Sequence, residues 1–288
     1  MTNTSQLINK AKEDPTVLEQ LLYPGKQISD YNTDDLKVEV LPTGFASLDK
    51  YMVLKRNRGE LVFIGARPSM GKSALLFQMA MNVARYGKAH TFSLEDSHEA
   101  IVTRQTAILS NISMDVIQLG MAPKHVLEGA KRSMAEFNCV LDTEGGLNVY
   151  QICERARMQH KKSALHALFI DYIQIIRSDR KISRAEDVAV ISSELKALAK
   201  ELRIPVVVSS QLNRNADQRE SKKPQLSDLK ESGSLEQDAD VVLLIHREGR
   251  DAEVIIAKNK NGPTGSILME YNGAQTKFID LGIKGELD

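Results

Sequence analysis

Tryptophan is absent from this 288-residue chain, and cysteine occurs only twice. Cys139 and Cys153 are not spaced as a Cys-x-x-Cys pair. That excludes a disulfide framework and a zinc site built on cysteine, and it fits a reducing cytosol, so we expect a cytoplasmic protein. No run approaches the ~18 apolar residues of a membrane span, so no membrane is expected among its partners. The start, Met1-Thr-Asn-Thr-Ser-Gln, has neither the basic nor the apolar region of a secretory leader. An excess of charge is lacking too: 38 basic side chains face 38 acidic ones. A globally basic nucleic-acid binder is therefore excluded. Any such binding has to come from a local patch, or from a patch multiplied by oligomerisation.

What is present divides at about residue 40. Residues 1–40 read as an arm and linker. Ser5 can cap a short helix carrying Leu7, Ile8 and Ala11, and Asp14-Pro15 opens a second with Val17, Leu18, Leu21 and Leu22. Pro24-Gly25 ends it, and a polar stretch follows to Glu39. Either this is a loosely ordered terminus or it docks on a neighbouring subunit. Residues 41–288 are dense α/β. Strands are expected at Leu61–Ile64, His90–Leu94, Cys139–Asp142, Ala167–Ile170, Val206–Ser209 and Val241–His246. Between most of them lie helices at Ala74–Arg85, His98–Leu109, His125–Phe137, Val149–Lys161 and Asp187–Leu202. Strands alternating with helices of this length predict a mainly parallel sheet covered on both faces. Three short strands, Glu253–Lys258, Ser266–Tyr271 and Gln275–Ile279, are separated by hairpin signals and predict an antiparallel finish.

Four stretches carry chemistry. The first is Gly65-Ala-Arg-Pro-Ser-Met-Gly-Lys-Ser73, directly after an apolar strand and opening a helix with Leu75, Leu76, Met79, Ala80 and Val83 on one stripe. This is the layout of a phosphate-binding loop. Backbone N–H groups and the positive helix end surround a β-phosphate, Lys72 reaches the β- and γ-phosphates, and Ser73 takes a Mg²⁺ coordination site. Arg67, Pro68, Ser69, Met70, Gly71, Lys72, Ser73 and Ala74 form the candidate nucleotide-binding set. At strict spacing the first motif position is Ala66, not glycine. The second stretch, Leu168-Phe-Ile-Asp171, is an apolar strand ending in a carboxylate placed to hold the Mg²⁺ shell beside Ser73. The third, Phe92-Ser-Leu-Glu95, puts Glu95 either on the water that attacks the γ-phosphate or at a helix cap. The fourth, Val206-Val-Val-Ser-Ser-Gln211, ends in an amide able to sense a γ-phosphate. The loop after it, Arg214 to Glu231, is mixed in charge and reads either as a relay of that state or as a solvated surface loop.

Taken together these motifs resemble the ATPase domain of the DnaB family of hexameric replicative helicases. The resemblance also rests on Pro42-Thr-Gly-Phe45, Asp171-Tyr-Ile-Gln174, Leu195-Lys-Ala-Leu-Ala-Lys-Glu-Leu202, Ser210-Gln-Leu-Asn-Arg214, Glu231-Ser-Gly-Ser-Leu-Glu-Gln-Asp-Ala-Asp240 and Asn261-Gly-Pro263, in order over roughly residues 41–280. It implies a RecA-like P-loop NTPase fold, ATP and Mg²⁺ as cofactors, a homo-oligomeric ring and single-stranded DNA in its channel, with 5′ to 3′ travel. It assigns Glu95, Lys72 and Gln211 to catalysis, Ser73 and Asp171 to the metal, and Arg104 to the nucleotide. Lys230, Glu231 and Gly233 fall where the family grips DNA. Lys258 and Lys260 fall where two basic residues reach the neighbouring subunit's ATP site, with Lys260 standing where arginine is usual. Fewer residues precede the resembling region than the family's usual N-terminal helical domain contains, so a minimal phage- or plasmid-type version is expected, acting in a bacterial cell or phage-infected host. A loader or primase is a possible further partner. The alternatives are a RecA-like recombinase or regulator, and an ATP-binding non-motor partner of a helicase ring.

Overall fold

An apolar run with no polar face, such as Leu61-Val-Phe-Ile64, has to sit where both sides of a sheet are covered. The computed structural model of the protein describes residues 38–178, 183–213, 221–229 and 233–285. The readings at Ser5 and Asp14–Leu22 lie outside the described residues. The chain begins with β1 (Glu39–Leu41), α1 (Ala46–Tyr51) and β2 (Leu54–Arg56), and β1 and β2 pair as a small antiparallel sheet. Glu39, read from sequence as the end of a polar linker, thus already stands in a strand.

Next come β3 (Leu61–Ala66), α2 (Lys72–Tyr86), β4 (Ala89–Ser93), α3 (His98–Ser110), α4 (Met114–Gln118) and α5 (Lys124–Ala135). They are followed by β5 (Cys139–Asp142), α6 (Val149–Lys162), β6 (Ala167–Asp171), α7 (Arg184–Leu202) and β7 (Val206–Gln211). The chain closes with α8 (Gly233–Asp238), β8 (Val241–Glu248), β9 (Asp251–Asn259), β10 (Gly265–Asn272) and β11 (Lys277–Ile283).

Among the described residues the main sheet has nine strands in the order β11-β10-β9-β8-β3-β7-β6-β4-β5. The pairs from β8 to β5 are parallel, and those from β8 out to β11 are antiparallel. The strand period of two assigns alternate residues of β3 to opposite faces. Val62 and Ile64 join a core with Leu75, Leu76, Met79 and Val83 of α2. Leu61 and Phe63 join the other core, with Ile152 of α6 and Ile191, Leu195 and Leu198 of α7. The expected doubly covered sheet with an antiparallel end is what forms. α6 and α7 each begin with a reciprocal capping box, Asn148 with Gln151 and Ser183 with Glu186, which fixes where the covering helices start.

Several boundaries differ from the sequence reading: the fourth strand ends at Ser93 rather than Leu94, α7 begins at Arg184 rather than Asp187, and β11 runs Lys277–Ile283. Gln275 and Thr276 belong to the turn before β11, not to the strand. Asn272 Oδ1 accepts from Ala274 N at 3.1 Å, and the turn docks on the α3–α4 junction, where Gln275 donates to Asn111 Oδ1 at 3.0 Å. Tertiary hydrogen bonds of this kind leave no local signal in the sequence.

Phe169, at the middle of β6, is fully buried in the α2-side core. Phe169→Ala is expected to lower stability by about 3–5 kcal/mol, and Phe169→Leu by under about 1.5 kcal/mol. Urea unfolding midpoints of the two variants check this ordering; equal losses would contradict the tight packing of that layer.

Candidate active site

Parallel strands deliver their C-terminal ends to one edge of the sheet, and a ligand cleft opens where the connections diverge. Here β3 is followed by β4 in sequence, but β7 and β6 lie between them in space. The ends of β3, β7, β6 and β4 therefore bring the phosphate loop, Gln211, Asp171 and Glu95 to one place. Ala66 pairs with Gln211, and Ser93 with Asp171.

The loop's departure from the strict motif has a simple explanation. Ala66 is still strand, paired with Gln211 and Ile245, and its carbonyl accepts from Leu212 N at 2.9 Å. Nothing there requires glycine. The turn proper begins after it, with Met70 N donating to Arg67 O at 3.2 Å and Ser69 at a φ of 63°. Gly71 does need to be glycine: its φ is 101°, and a Cβ would lie 2.8 Å from the Phe278 ring. Gly71 is also the N-cap of α2 and offers no capping side chain, so the first-turn N–H groups are left for an anion.

Lys72 is the centre of the charged cluster. Its Nζ lies 2.9 Å from Asp171 Oδ1, 3.2 Å from Ser73 Oγ and 3.6 Å from Glu95 Oε2. It also sits 4.1 Å above the ring centre of Tyr172. Burial, then the carboxylates of Glu95 and Asp171, hold the Tyr172 phenol above its ordinary pKa, so it stays a neutral ring under the ammonium. Asp171 is fully buried. Ser209 Oγ donates to its Oδ1, while Oδ2 has no hydrogen-bond partner among the described residues. An unpaired buried carboxylate oxygen next to a serine hydroxyl is a donor set that suits Mg²⁺. Glu95 is half exposed, at the mouth of the cluster.

A cavity of about 320 Å³ opens over this cluster. Pro68, Ser69, Gly71, Lys72, Ser73 and Ala74 of the phosphate loop line it, together with Glu95, Asp96, Arg104 and Gln211. Arg104 pairs with Asp96 at 3.1 Å. Two members of the candidate set face elsewhere: the side chains of Arg67 and Met70 line a neighbouring cavity with Lys222, His246 and Arg247.

Three contributors carry no site signal in the sequence, and a fourth carries a partial one. Tyr271 and Thr276, from the β10–β11 hairpin, complete the cavity wall. Arg247 donates to Ser69 O and lies 4.4 Å from the Tyr271 ring centre, tying that hairpin to the loop. Gln174 holds Gln211 by its backbone: its Oε1 accepts from Gln211 N at 3.0 Å, and its Nε2 donates to Gln211 O at 3.1 Å. The motif Asp171-Tyr-Ile-Gln174 holds the partial signal for Gln174. Tyr271, Thr276 and Arg247 have none, because only the sheet order brings them to the loop.

The remaining candidates are not in this cluster. Lys258 donates to Glu236 O at 2.6 Å, and Lys260 is exposed, 3.8 Å from Asp240 Oδ1. Asn259 pairs with Val241, the first residue of β8, which also pairs with Val62. That is the opposite edge of the sheet, about 16 Å of strand from the phosphate loop, beyond a lysine's reach within one chain. Gly233 opens α8, and Lys230 and Glu231 lie outside the described residues.

Comparison with known proteins agrees with this geometry. The sequence profile of the DnaB-like helicase C terminal domain matches residues 40–280. The replicative DNA helicase DnaB of Geobacillus stearothermophilus is 36% identical over 263 residues, covering 86% of this chain and 58% of that protein. The replicative DNA helicase DnaC of Bacillus subtilis is 35% identical, covering 84% of this chain and 56% of its own length. A probable plasmid replicative DNA helicase of Chlamydia psittaci is 39% identical, with 84% and 56% covered. The chain thus spans somewhat over half the length of these relatives. Among solved structures, one ATPase domain has a TM-score of 0.79 at 31% identity, covering 84% of this chain and 91% of that one. A DnaB-like replicative helicase, studied with its interactions with primase, also has a TM-score of 0.79, at 27% identity and covering 96% and 74%. With a family match over residues 40–280 and relatives 35–39% identical over 84–86% of its length, the chain belongs to the DnaB-like helicase C-terminal domain family.

Proposed function

We propose that the chain is an ATP-driven motor of the DnaB type, which assembles into a ring, moves along single-stranded DNA and separates the duplex during replication. The observation that carries this reading is one cavity lined by Lys72, Glu95 and Gln211, with the buried Asp171 on the Lys72 ammonium beneath it. In this reading ATP lies along the phosphate loop. Lys72 exchanges its contact with Asp171 for phosphate oxygens. Ser73 and Asp171 hold Mg²⁺, which when bound draws charge from the phosphate oxygens. Glu95 aligns a water and accepts its proton as the new oxygen–phosphorus bond forms and the bond to ADP breaks. Gln211 senses the γ-phosphate. Through Gln174 its backbone is joined to the same segment that carries Asp171, so nucleotide state reaches the loop after residue 213.

The neutral net charge is no obstacle to a DNA-bound ring. Several copies of Lys230 around one pore make a local positive collar, and contacts to the sugar–phosphate backbone need no base readout. A hexamer and an ATP site completed in trans by Lys260 belong to the same proposal. The position of Lys258 and Lys260 at the far edge of the sheet supports it, since a residue there serves a phosphate loop only across a subunit boundary. A loader or primase is a candidate further partner. Among the described residues no helix is long and apolar enough to cross a membrane.

Two experiments test the reading. Glu95→Gln keeps the side chain's shape and is expected to bind ATP while turnover falls on the order of 10²-fold; Lys72→Ala is expected to weaken nucleotide binding as well. Steady-state turnover and nucleotide titration separate the two, and near-normal turnover by the Glu95 variant removes it from the catalytic role. Lys230→Ala is expected to weaken single-strand affinity for all sequences alike and to flatten the slope of affinity against salt, by about 0.7 for each phosphate it no longer neutralises. Unchanged affinity and slope would put the DNA surface elsewhere.

A further inference from the structure

Two family motifs, Leu195-Lys-Ala-Leu-Ala-Lys-Glu-Leu202 and the Gln-Asp-Ala-Asp240 end of the stretch from Glu231, have no place in the hydrolytic cluster. The structure joins them. Lys196 of α7 reaches the carboxylate of Asp240, and its Nζ also donates to Gly59 O at 3.3 Å. Asp240 is 5% exposed and stands just before β8. Its Oδ2 accepts from Leu61 N at 2.8 Å, and its own N donates to Leu61 O at 2.9 Å, so it is locked to the first residue of β3. Its carbonyl accepts from Lys260 N at 2.8 Å, and its Oδ1 lies 3.8 Å from Lys260 Nζ.

One buried aspartate thus holds the backbone of Lys260 by a hydrogen bond and places a carboxylate 3.8 Å from its ammonium. Neighbouring contacts stiffen the same root. Asn261 Nδ2 donates to Glu60 Oε1 at 3.0 Å, Asn259 Nδ2 to Tyr51 O at 3.0 Å, and Lys258 Nζ to the α8 carbonyl of Glu236 at 2.6 Å. The Lys260 side chain itself is 67% exposed on this fixed base, with Asp240 as its carboxylate neighbour. A lysine has many rotamers, and an ammonium that must meet a phosphate on another molecule gains from having few of them available.

We propose that Asp240, held in turn by Lys196, is a positioning residue for Lys260. It sets the root of the β9–β10 hairpin and steers the Lys260 ammonium toward the next subunit's γ-phosphate. This rests on the reading that Lys260 acts in trans.

The test uses the full chain and four variants: Lys260→Ala, Asp240→Asn, the two combined, and Lys72→Ala as mixing partner. Asparagine keeps the shape of Asp240 and an acceptor for Leu61 N, but removes the charge facing Lys196 and Lys260. Asp240→Asn is expected to cut turnover at saturating ATP on the order of 10- to 100-fold, with nucleotide affinity kept. The combined variant is expected to be no slower than Lys260→Ala alone, because both changes disable one device. In rings mixed with Lys72→Ala subunits, and shown by native mass to be mixed, Asp240→Asn is expected to recover activity as Lys260→Ala does. Each Asp240→Asn phosphate loop then meets an intact hairpin from its neighbour.

If mixing rescues Lys260→Ala but not Asp240→Asn, the aspartate acts on β3 in its own subunit. The inference is then wrong while the trans role stands. If mixing does not rescue Lys260→Ala, the trans role fails and this inference fails with it. Should Asp240→Asn not fold, Lys196→Met takes its place in the same comparison, with Lys196→Arg expected to restore turnover. A deficit in Lys196→Met that persists in mixed rings overturns the proposal.

Discussion

The ammonium of Lys72 sits among a buried carboxylate, a second carboxylate, a hydroxyl and an aromatic face, and the site is organised around that charge. A carboxylate as buried as Asp171 is costly without a partner, and a pair of this kind is better evidence of a specified arrangement than of stability. The arrangement is one that phosphate can take over. Phosphate oxygens could replace Asp171 as partners of Lys72, and the carboxylate, whose Oδ2 has no partner among the described residues, would then be available to hold a metal. For this exchange to be local, Asp171 at the end of β6 and Lys72 at the start of α2, just after β3, must be held at a fixed separation. The β3-β7-β6 order provides that: Ser209 of the intervening strand bonds Asp171 directly.

The same edge of the sheet ties the parts of the site to one another. Gln211 and Asp171 are not merely neighbours; Gln174, three residues after Asp171, pairs with the backbone of Gln211 as a strand would. The segment that follows Asp171 and the end of β7 are therefore joined by two hydrogen bonds. On the other side, Arg247, Tyr271 and Phe278 brace the phosphate loop from the antiparallel extension, and Gln78 of α2 completes the brace with two hydrogen bonds to the backbone of Phe278. The antiparallel strands thus support the loop at one edge of the sheet and present Lys258 and Lys260 at the other. A single stiff unit with an ATP cleft at one edge and a cationic hairpin at the opposite edge is suited to head-to-tail assembly, the kind that closes into rings.

Much of this is legible in the sequence, for identifiable reasons. β3, β6, β7 and β8 are continuous buried runs of the kind only a covered parallel sheet accepts, and β6 and β7 end at residue types that chemistry explains. The helix after the phosphate loop shows its stripe plainly. Neighbourhood is what a sequence does not display. No local pattern says that β7 and β6 lie between β3 and β4, that Thr276 is in a turn against Asn111, or that Tyr271 reaches a loop some two hundred residues earlier. The pairing of Lys196 with Asp240 is hidden for the same reason. Each residue stands in a recognisable motif, but only the packing of α7 beside the start of β8 gives either one a partner.

In the proposed function an ATP site is complete only when one copy's hairpin meets another copy's phosphate loop, and DNA acts on that assembled form. The most direct measurement is turnover per chain as protein concentration is raised, with solution mass followed in parallel and with single-stranded DNA present or absent. Turnover is expected to rise in step with assembly and to rise further with DNA. Full turnover by the monomer, indifferent to both concentration and DNA, would contradict it.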